Sequence, residues 1–266
     1  MKKIIAALLI MLGLNLAADD ISLWQKSTLN AVLQRGELRV GLEAGYMPFE
    51  MKTKKGNIVG FDVDMMKAMA KAMGVKLKLV PTAWDGIIAG LLTGKYDIIA
   101  SGMTVTQERN LKINFANPYI SIGQTILANK KYAGKTWQDI DKKGNTVVTK
   151  LGVTGEIATR KMFKHATIRT FDTEADAVQE VMNGKADAFV YDKPYNAIFY
   201  ASKGKGKLAF LDQDLTYEPL GWAIRKGDPD FLNWLNNFLN QTKHDGLYKK
   251  IYDKWFNSTR WQKKVM

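Results

Sequence analysis

The sequence predicts an α/β protein made of two lobes built on one plan. Segments of strand character alternate with segments of helical period through most of the chain, which is the pattern of an α/β architecture. One stretch also recurs. Leu92-Thr93-Gly94-Lys95-Tyr96-Asp97-Ile98-Ile99 is echoed by Met182-Asn183-Gly184-Lys185-Ala186-Asp187-Ala188-Phe189. Each copy reads as a helix end, a Gly-Lys turn, an aspartate and a buried strand. The echo is short, yet it is what two lobes of similar construction would leave behind. The chain has 266 residues, 46% of them hydrophobic, enough for a large core in one or two domains.

In chain order, residues 38–42 form a short strand. Gly60-Phe61-Asp62 opens a helix with Val63, Met66, Met69 and Ala70 on one face, and Gly74 closes it. Val75, Leu77 and Leu79 alternate with lysines, so that strand has one wet face. Residues 84–93 read as a helix capped by Gly94, and Tyr96-Asp97-Ile98-Ile99-Ala100 as a buried strand. The second lobe is expected to hold a strand over 146–149, a glycine turn over 152–155 and a helix from Glu156 onward. A helix over 173–183 and a strand over 186–191 follow.

The segment Ser101-Gly102-Met103-Thr104-Val105-Thr106-Gln107-Glu108-Arg109 is the most informative. It joins a buried strand to a stretch that starts like a helix, with Thr106 as N-cap. Such a turn offers free backbone N–H groups and favours an anion. Arg109 adds a planar fork that fits a carboxylate through two bonds. These residues predict a site for a small carboxylate.

The chain begins Met1-Lys2-Lys3, continues with an apolar run over 4–14, then Asn15-Leu16-Ala17-Ala18 and the acidic pair Asp19-Asp20. These are the three parts of a secretory signal peptide, with cleavage expected after Ala17 or Ala18. The run is short for a membrane span. There is no cysteine, so no disulfide framework is expected, and no lipid attachment at the cleavage point. A soluble periplasmic protein is the expectation. Removing residues 1–18 takes away Lys2 and Lys3 and lowers the formal charge from +13 to +11. The lysines are dispersed, as at 52–55 and 203–207, and no zinc-finger or basic helix-turn-helix spacing occurs. The charge therefore reads as a solvated surface, and nucleic acid is not an expected partner. With two histidines, His165 and His244, and no cysteine, no metal or other cofactor is expected. No G-x-S-x-G and no phosphate-binding loop is present.

Several segments come in a telling order. They are Pro48-Phe49, Gly60-Phe61-Asp62-Val63-Asp64, Trp84-Asp85-Gly86-Ile87-Ile88, the 101–109 motif and Phe115-Ala116-Asn117-Pro118-Tyr119. Ala186-Asp187-Ala188, Tyr191-Asp192, Gly246-Leu247-Tyr248 and Lys254-Trp255-Phe256 follow. In this order the chain resembles the polar amino-acid-binding proteins of ABC importers, solute-binding protein family 3, from about residue 29 to residue 256. The resemblance implies a periplasmic binding protein type II fold. Each lobe is a central sheet flanked by helices, and a two-strand hinge joins the lobes. Residues 1–18 would be the signal peptide, 19–120 plus 219–266 the discontinuous first lobe, and 121–218 the second. The chain would cross near 119–124 and return near 216–220. A free L-amino acid would close the lobes, and an inner-membrane ABC permease would read the closure. The family implies a monomer.

The resemblance also assigns roles. Arg109 would pair with the ligand carboxylate, helped by the hydroxyl and N–H of Thr104, by Ser101, and by Thr154 from the second lobe. Gly102 would let the ligand approach the backbone or take its ammonium on the carbonyl. Asp192, at a strand end, would hold the α-ammonium; a helix N-cap before Lys193-Pro194 is the plainer reading. Tyr46 and Trp84 would sandwich the side-chain stem, with Trp84 as core the alternative, while Phe49 belongs to the core. Glu43 and Asp62 would face the distal group and favour lysine, arginine or ornithine. Lys150 argues for glutamine by donating to an amide oxygen, or pairs with Glu43 and cancels its charge. Tyr191 would supply a polar wall. A cationic amino acid stands slightly ahead of glutamine. The exported cyclohexadienyl dehydratases share the fold, and Glu156 after Val153-Thr154-Gly155 could act there as general acid. They typically carry Gly-Gly-Thr-Asn-Glu where this chain has Gly-Val-Thr-Gly-Glu, which weakens that match. A sensor read by a receptor instead of a permease is a third role the residues allow.

Overall fold

The computed structural model describes residues 27–265. The signal-peptide reading of residues 1–18 lies outside the described residues. The first lobe contains β1 (Glu37–Leu42), the hairpin of β2 (Met51–Lys52) and β3 (Ile58–Val59), β4 (Lys76–Pro81), β5 (Ile98–Ile99) and β6 (Asn114–Phe115). The chain leaves through β7 (Ile120–Ile122). It then builds β8 (Gln124–Asn129), β9 (Thr146–Lys150), β10 (Thr167–Phe171), β11 (Ala188–Asp192) and β12 (Leu208–Leu211). It returns through β13 (Glu218–Leu220), which pairs antiparallel with β7, and ends in the first lobe with β14 (Ala223–Ile224) and the helices Pro229–His244 and Leu247–Trp255.

The two sheets have the same plan. The first runs β4-β1-β5-β14-β6 and the second β10-β9-β11-β8-β12. In each, three parallel strands are followed by an antiparallel strand that the returning or entering chain supplies. The echoed segment has a physical role in this plan. Gly94 and Gly184 sit at φ +75° and +72° and turn the chain from helix to strand. Asp97 Oδ2 then accepts from Arg39 N at 2.9 Å, and Asp187 Oδ2 accepts from Thr146 N at 2.8 Å. Each aspartate thus ties the start of its own strand to the neighbouring parallel strand, β1 in the first lobe and β9 in the second. Arg35 and Arg39 neutralise Asp97, and Lys131 neutralises Asp187.

Most predicted elements appear with shifted ends. The helix Phe61–Met73 buries Val63, Met66, Met69 and Ala70 as the period requires. Gly74 ends it, donating to Ala70 O and Lys71 O. The stretch expected as one helix over 84–93 is a 3-10 turn, Trp84–Gly86, followed by the helix Ile87–Leu92. The helix expected from Glu156 starts earlier, at Thr154. Gly155 is admitted to its first turn because a Cβ there would lie 3.0 Å from Gln124 Oε1. β4 is the outer strand of its sheet, which explains its wet face.

Aromatic rings connect the first lobe's core to the cleft. Trp222, fully buried, stacks on Tyr119 at 5.3 Å, and Tyr119 on Phe61 at 5.8 Å. Phe61 meets Phe49 edge-on at 6.1 Å, and Phe49 stacks on Tyr46 at 4.7 Å. Phe49 is core, as expected. Trp222→Ala should destabilise the protein by about 3–5 kcal/mol, because the cavity left behind cannot collapse around stacked rings. Urea denaturation of both proteins measures this; a loss under about 1 kcal/mol would mean the site relaxes freely.

Candidate functional site

The ends of β1, β5, β9 and β11 face a common cavity between the lobes. It is lined by Glu43, Tyr46, Trp84, Ser101, Gly102, Thr104, Arg109, Lys150, Thr154 and Asp192, with Glu50, Val153 and Tyr191 completing the wall. The closed cleft leaves a cavity of only about 20 Å³, room for little more than a water molecule, so a ligand has to enter while the lobes are apart. The lobes touch across it. Trp84 Nε1 donates to Gly152 O at 2.9 Å, the hydroxyls of Thr104 and Thr154 lie 3.4 Å apart, Tyr46 Oη donates to Asp192, and Lys150 Nζ to Glu43.

One set of groups is suited to an anion. Thr106 caps the short helix Gln107–Asn110 by accepting from Arg109 N. The Arg109 guanidinium turns back to donate to Thr104 O at 2.9 Å and packs 5.3 Å from the Trp84 ring. Thr154 meets it from the second lobe, at the N-terminus of the helix Thr154–Met162, where the dipole favours negative charge. Trp84 is half-buried, bridges the lobes and also packs against the core, so it lines the cavity and serves the core together.

Asp192 supplies the opposite charge. It stands at the N-cap position of the helix Lys193–Phe199 but makes no side-chain cap bond. Its carboxylate accepts from Tyr46 and from Gln124 Nε2 instead. Burial pushes it up to about 7, with Glu218 adding to the rise, while Tyr46, Gln124 and Arg109 oppose it. A buried carboxylate raised in this way is stabilised by a nearby cation.

Asp62, expected beside the ligand, is not in the cavity wall. It is fully buried behind it, accepting from Gly102 N and from Tyr119 Oη, each at 2.9 Å. Helix entry at Phe61 turns its side chain inward, where helical period would not have placed an acid. It is pushed up to about 6 by burial, and Gly102 and Tyr119 restrain the rise. Glu50, also buried, is driven well above the usual carboxylate range by burial and then by Asp62. Ser101 bonds both ways, donating to Glu50 at 2.8 Å and accepting from Glu43 N at 3.0 Å. Gly102 has its N–H committed to Asp62. It must be glycine because its φ is +53° and a Cβ would lie 2.2 Å from the Tyr46 ring.

Lys150 is buried and donates to Glu43 and, at 2.9 Å, to Glu174. The pairing with Glu43 was one of its two expected roles. Glu174 was missed: after Thr173 it reads as an exposed first-turn acid, favourable to the helix dipole, and only the packing of that helix on β9 buries it. Gln124 and Glu50 carried no sequence signal either. Glu156 does not line the cavity but the pocket next to it, accepting from Gly152 N at 2.7 Å and pairing with Arg160. His165 lies on the surface against Asp141.

Residues 38–258 match the bacterial extracellular solute-binding proteins, family 3. The chain belongs to this family. It is 62% identical to a Wolinella succinogenes protein solved in complex with lysine, covering 86% of this chain and 100% of that one with a TM-score of 0.84. It is 32% identical to the L-cystine-binding protein TcyJ of Escherichia coli K12 over 86% of each chain. It is 28% identical to the cyclohexadienyl dehydratase of Pseudomonas aeruginosa over 89% of this chain and 88% of that one. Family membership and the two matched sheets together make this a two-lobed solute-binding protein.

The geometry yields a pH prediction. Opening the cleft would wet Asp192 and return it to the usual range near about 4. Closure then takes up a proton between about pH 4 and 7, so it is favoured as pH falls through that window and opposed above it. Small-angle scattering of the free protein should show a smaller radius of gyration at pH 5 than at pH 8. Asp192→Asn should remove most of the difference, leaving only what Glu43, also raised by burial, contributes. Equal radii in the wild type would mean that Asp192 does not govern closure.

Proposed function

We propose that this protein is the periplasmic receptor of an ABC importer and binds a free L-amino acid between its lobes, a cationic one such as lysine or arginine ahead of glutamine. The observation that carries this is the pairing of Arg109, Thr104 and Thr154 with the buried, raised Asp192. An α-amino acid has a carboxylate and an ammonium on one carbon, and these groups complement both. Tyr46, Trp84 and Tyr191 supply walls for the stem. The lysine complex of the Wolinella relative and the names of the arginine-binding relatives support the cationic preference. The signal-peptide pattern of residues 1–18, with cleavage after Ala17 or Ala18, supports export to the periplasm. Among the described residues no helix is long and apolar enough to cross a membrane. An inner-membrane permease is the partner that closure of the lobes would address.

A dehydratase is the second reading, and the Pseudomonas relative favours keeping it under test. The residue expected as its acid, Glu156, is held by Gly152 and Arg160 and lines not the cavity with Asp192 but a neighbouring pocket that shares Trp84 and Arg109 with it. Binding without catalysis is therefore the reading we adopt.

A thermal-shift screen of the mature protein against the twenty amino acids, ornithine, prephenate and arogenate tests both. Lysine or arginine should raise the melting temperature most. Arg109→Ala should lose on the order of 2–5 kcal/mol of binding energy by calorimetry, since the carboxylate would be left without its main partner in a closed cleft. Unchanged affinity removes Arg109 from the site. Silence toward every amino acid, with turnover of prephenate or arogenate, moves the protein to the dehydratases.

A further inference from the structure

Two carboxylates flank one internal ammonium at the cavity wall. Lys150 Nζ lies between Glu43 and Glu174, with side-chain exposures of 2% for Lys150, 4% for Glu174 and 21% for Glu43. A buried lysine must be paired. One carboxylate is sufficient for that, and the set as a whole carries one negative charge too many. The two acids are not equivalent. Glu174 is sealed behind Lys150 under Gly45, where a Cβ would meet its Oε1 at 2.6 Å, and it does not line the cavity. Glu43 follows β1, lines the cavity and keeps part of its surface open.

We propose that Glu174 is a specificity-determining positioning residue. By holding the Lys150 ammonium from behind, it leaves Glu43 to receive the cationic side chain of the bound amino acid. This rests on the reading of the cavity as an amino-acid site. Without Glu174, Lys150 would draw its whole compensation from Glu43. The set would become neutral, and a ligand cation would meet an acid already used. The same chain with neither Lys150 nor Glu174 would again present Glu43 uncompensated. Lys150 thus opposes a cationic ligand only as far as Glu174 fails to hold it.

The test is calorimetric titration of lysine and of glutamine into the wild type, Glu174→Gln, and the double variant Lys150→Met with Glu174→Gln, each checked for a cooperative melt. The wild type should prefer lysine. Glu174→Gln should lower lysine affinity by about tenfold or more, the scale of one partly buried charge pair, and change glutamine by less than about threefold. The double variant should recover the lysine preference, which a general loss of packing around Glu174 would not. If Glu174→Gln weakens both ligands equally, or the double variant does not recover, the proposal is overturned while the amino-acid reading stands. Should Glu174→Gln melt without cooperativity, the double variant decides alone: preference for lysine supports the charge count, and preference for glutamine overturns it. A wild type that binds neither lysine, glutamine nor any other amino acid overturns the amino-acid reading, and this proposal with it.

Discussion

The direction of the parallel strands governs everything polar in this molecule. In the first lobe β1 and β5 run side by side, and in the second β9 and β11 do the same. Their carboxyl ends turn toward the same crevice, the place where open α/β sheets present ligand-binding groups. Glu43 and Ser101 follow β1 and β5; Lys150 and Asp192 close β9 and β11. The aspartates at 97 and 187 lock those neighbouring strands in register. The positions of four cleft residues therefore depend on two side-chain clamps some distance from them.

Charge is concentrated where water is scarce. Asp192, Glu50 and Asp62 are all buried and all raised by burial. The three are stabilised in different ways. Asp192 is in the cleft, with Tyr46 and Gln124 as neutral donors, and its charge remains to be balanced by something in the cavity or by Arg109. Asp62 lies behind the wall and Glu50 within it, and they hold Gly102 and Ser101 in place. One pair of carboxyls is thus structural and the other acid is available. The energetic logic is the same, since a buried carboxylate is tolerated only where a donor or a cation meets it.

The hinge lets these groups separate and meet. β7 and β13 are short and antiparallel, and they connect the lobes next to Gln124 and Glu218, both of which act on Asp192. The stack from Trp222 through Tyr119, Phe61 and Phe49 to Tyr46 makes the first lobe's face of the cleft an extension of its core. Tyr46 then crosses to Asp192. A rigid face, a buried acid and a short hinge are what a protein needs if a ligand is to select one arrangement of two lobes.

The sequence by itself determined the fold class, the echo of the two lobes and most of the cleft. Periodicity marks the helices and strands, and residues at strand ends and strand-to-helix turns, such as Arg109, Thr104, Thr154 and Asp192, are legible because their positions follow from local geometry. Tertiary structure alone decided which acids are in the cavity. Asp62 and Glu174 both sit in the first turn of a helix, where local rules assign them to solvent or to the ligand. The docking of each helix on its sheet buries both, one behind the wall and one behind Lys150. Burial of a helix's first turn depends on what packs over it, and that comes from residues distant in the chain. Local pattern therefore finds the site, but the balance of charge inside it is a property of the assembled lobes.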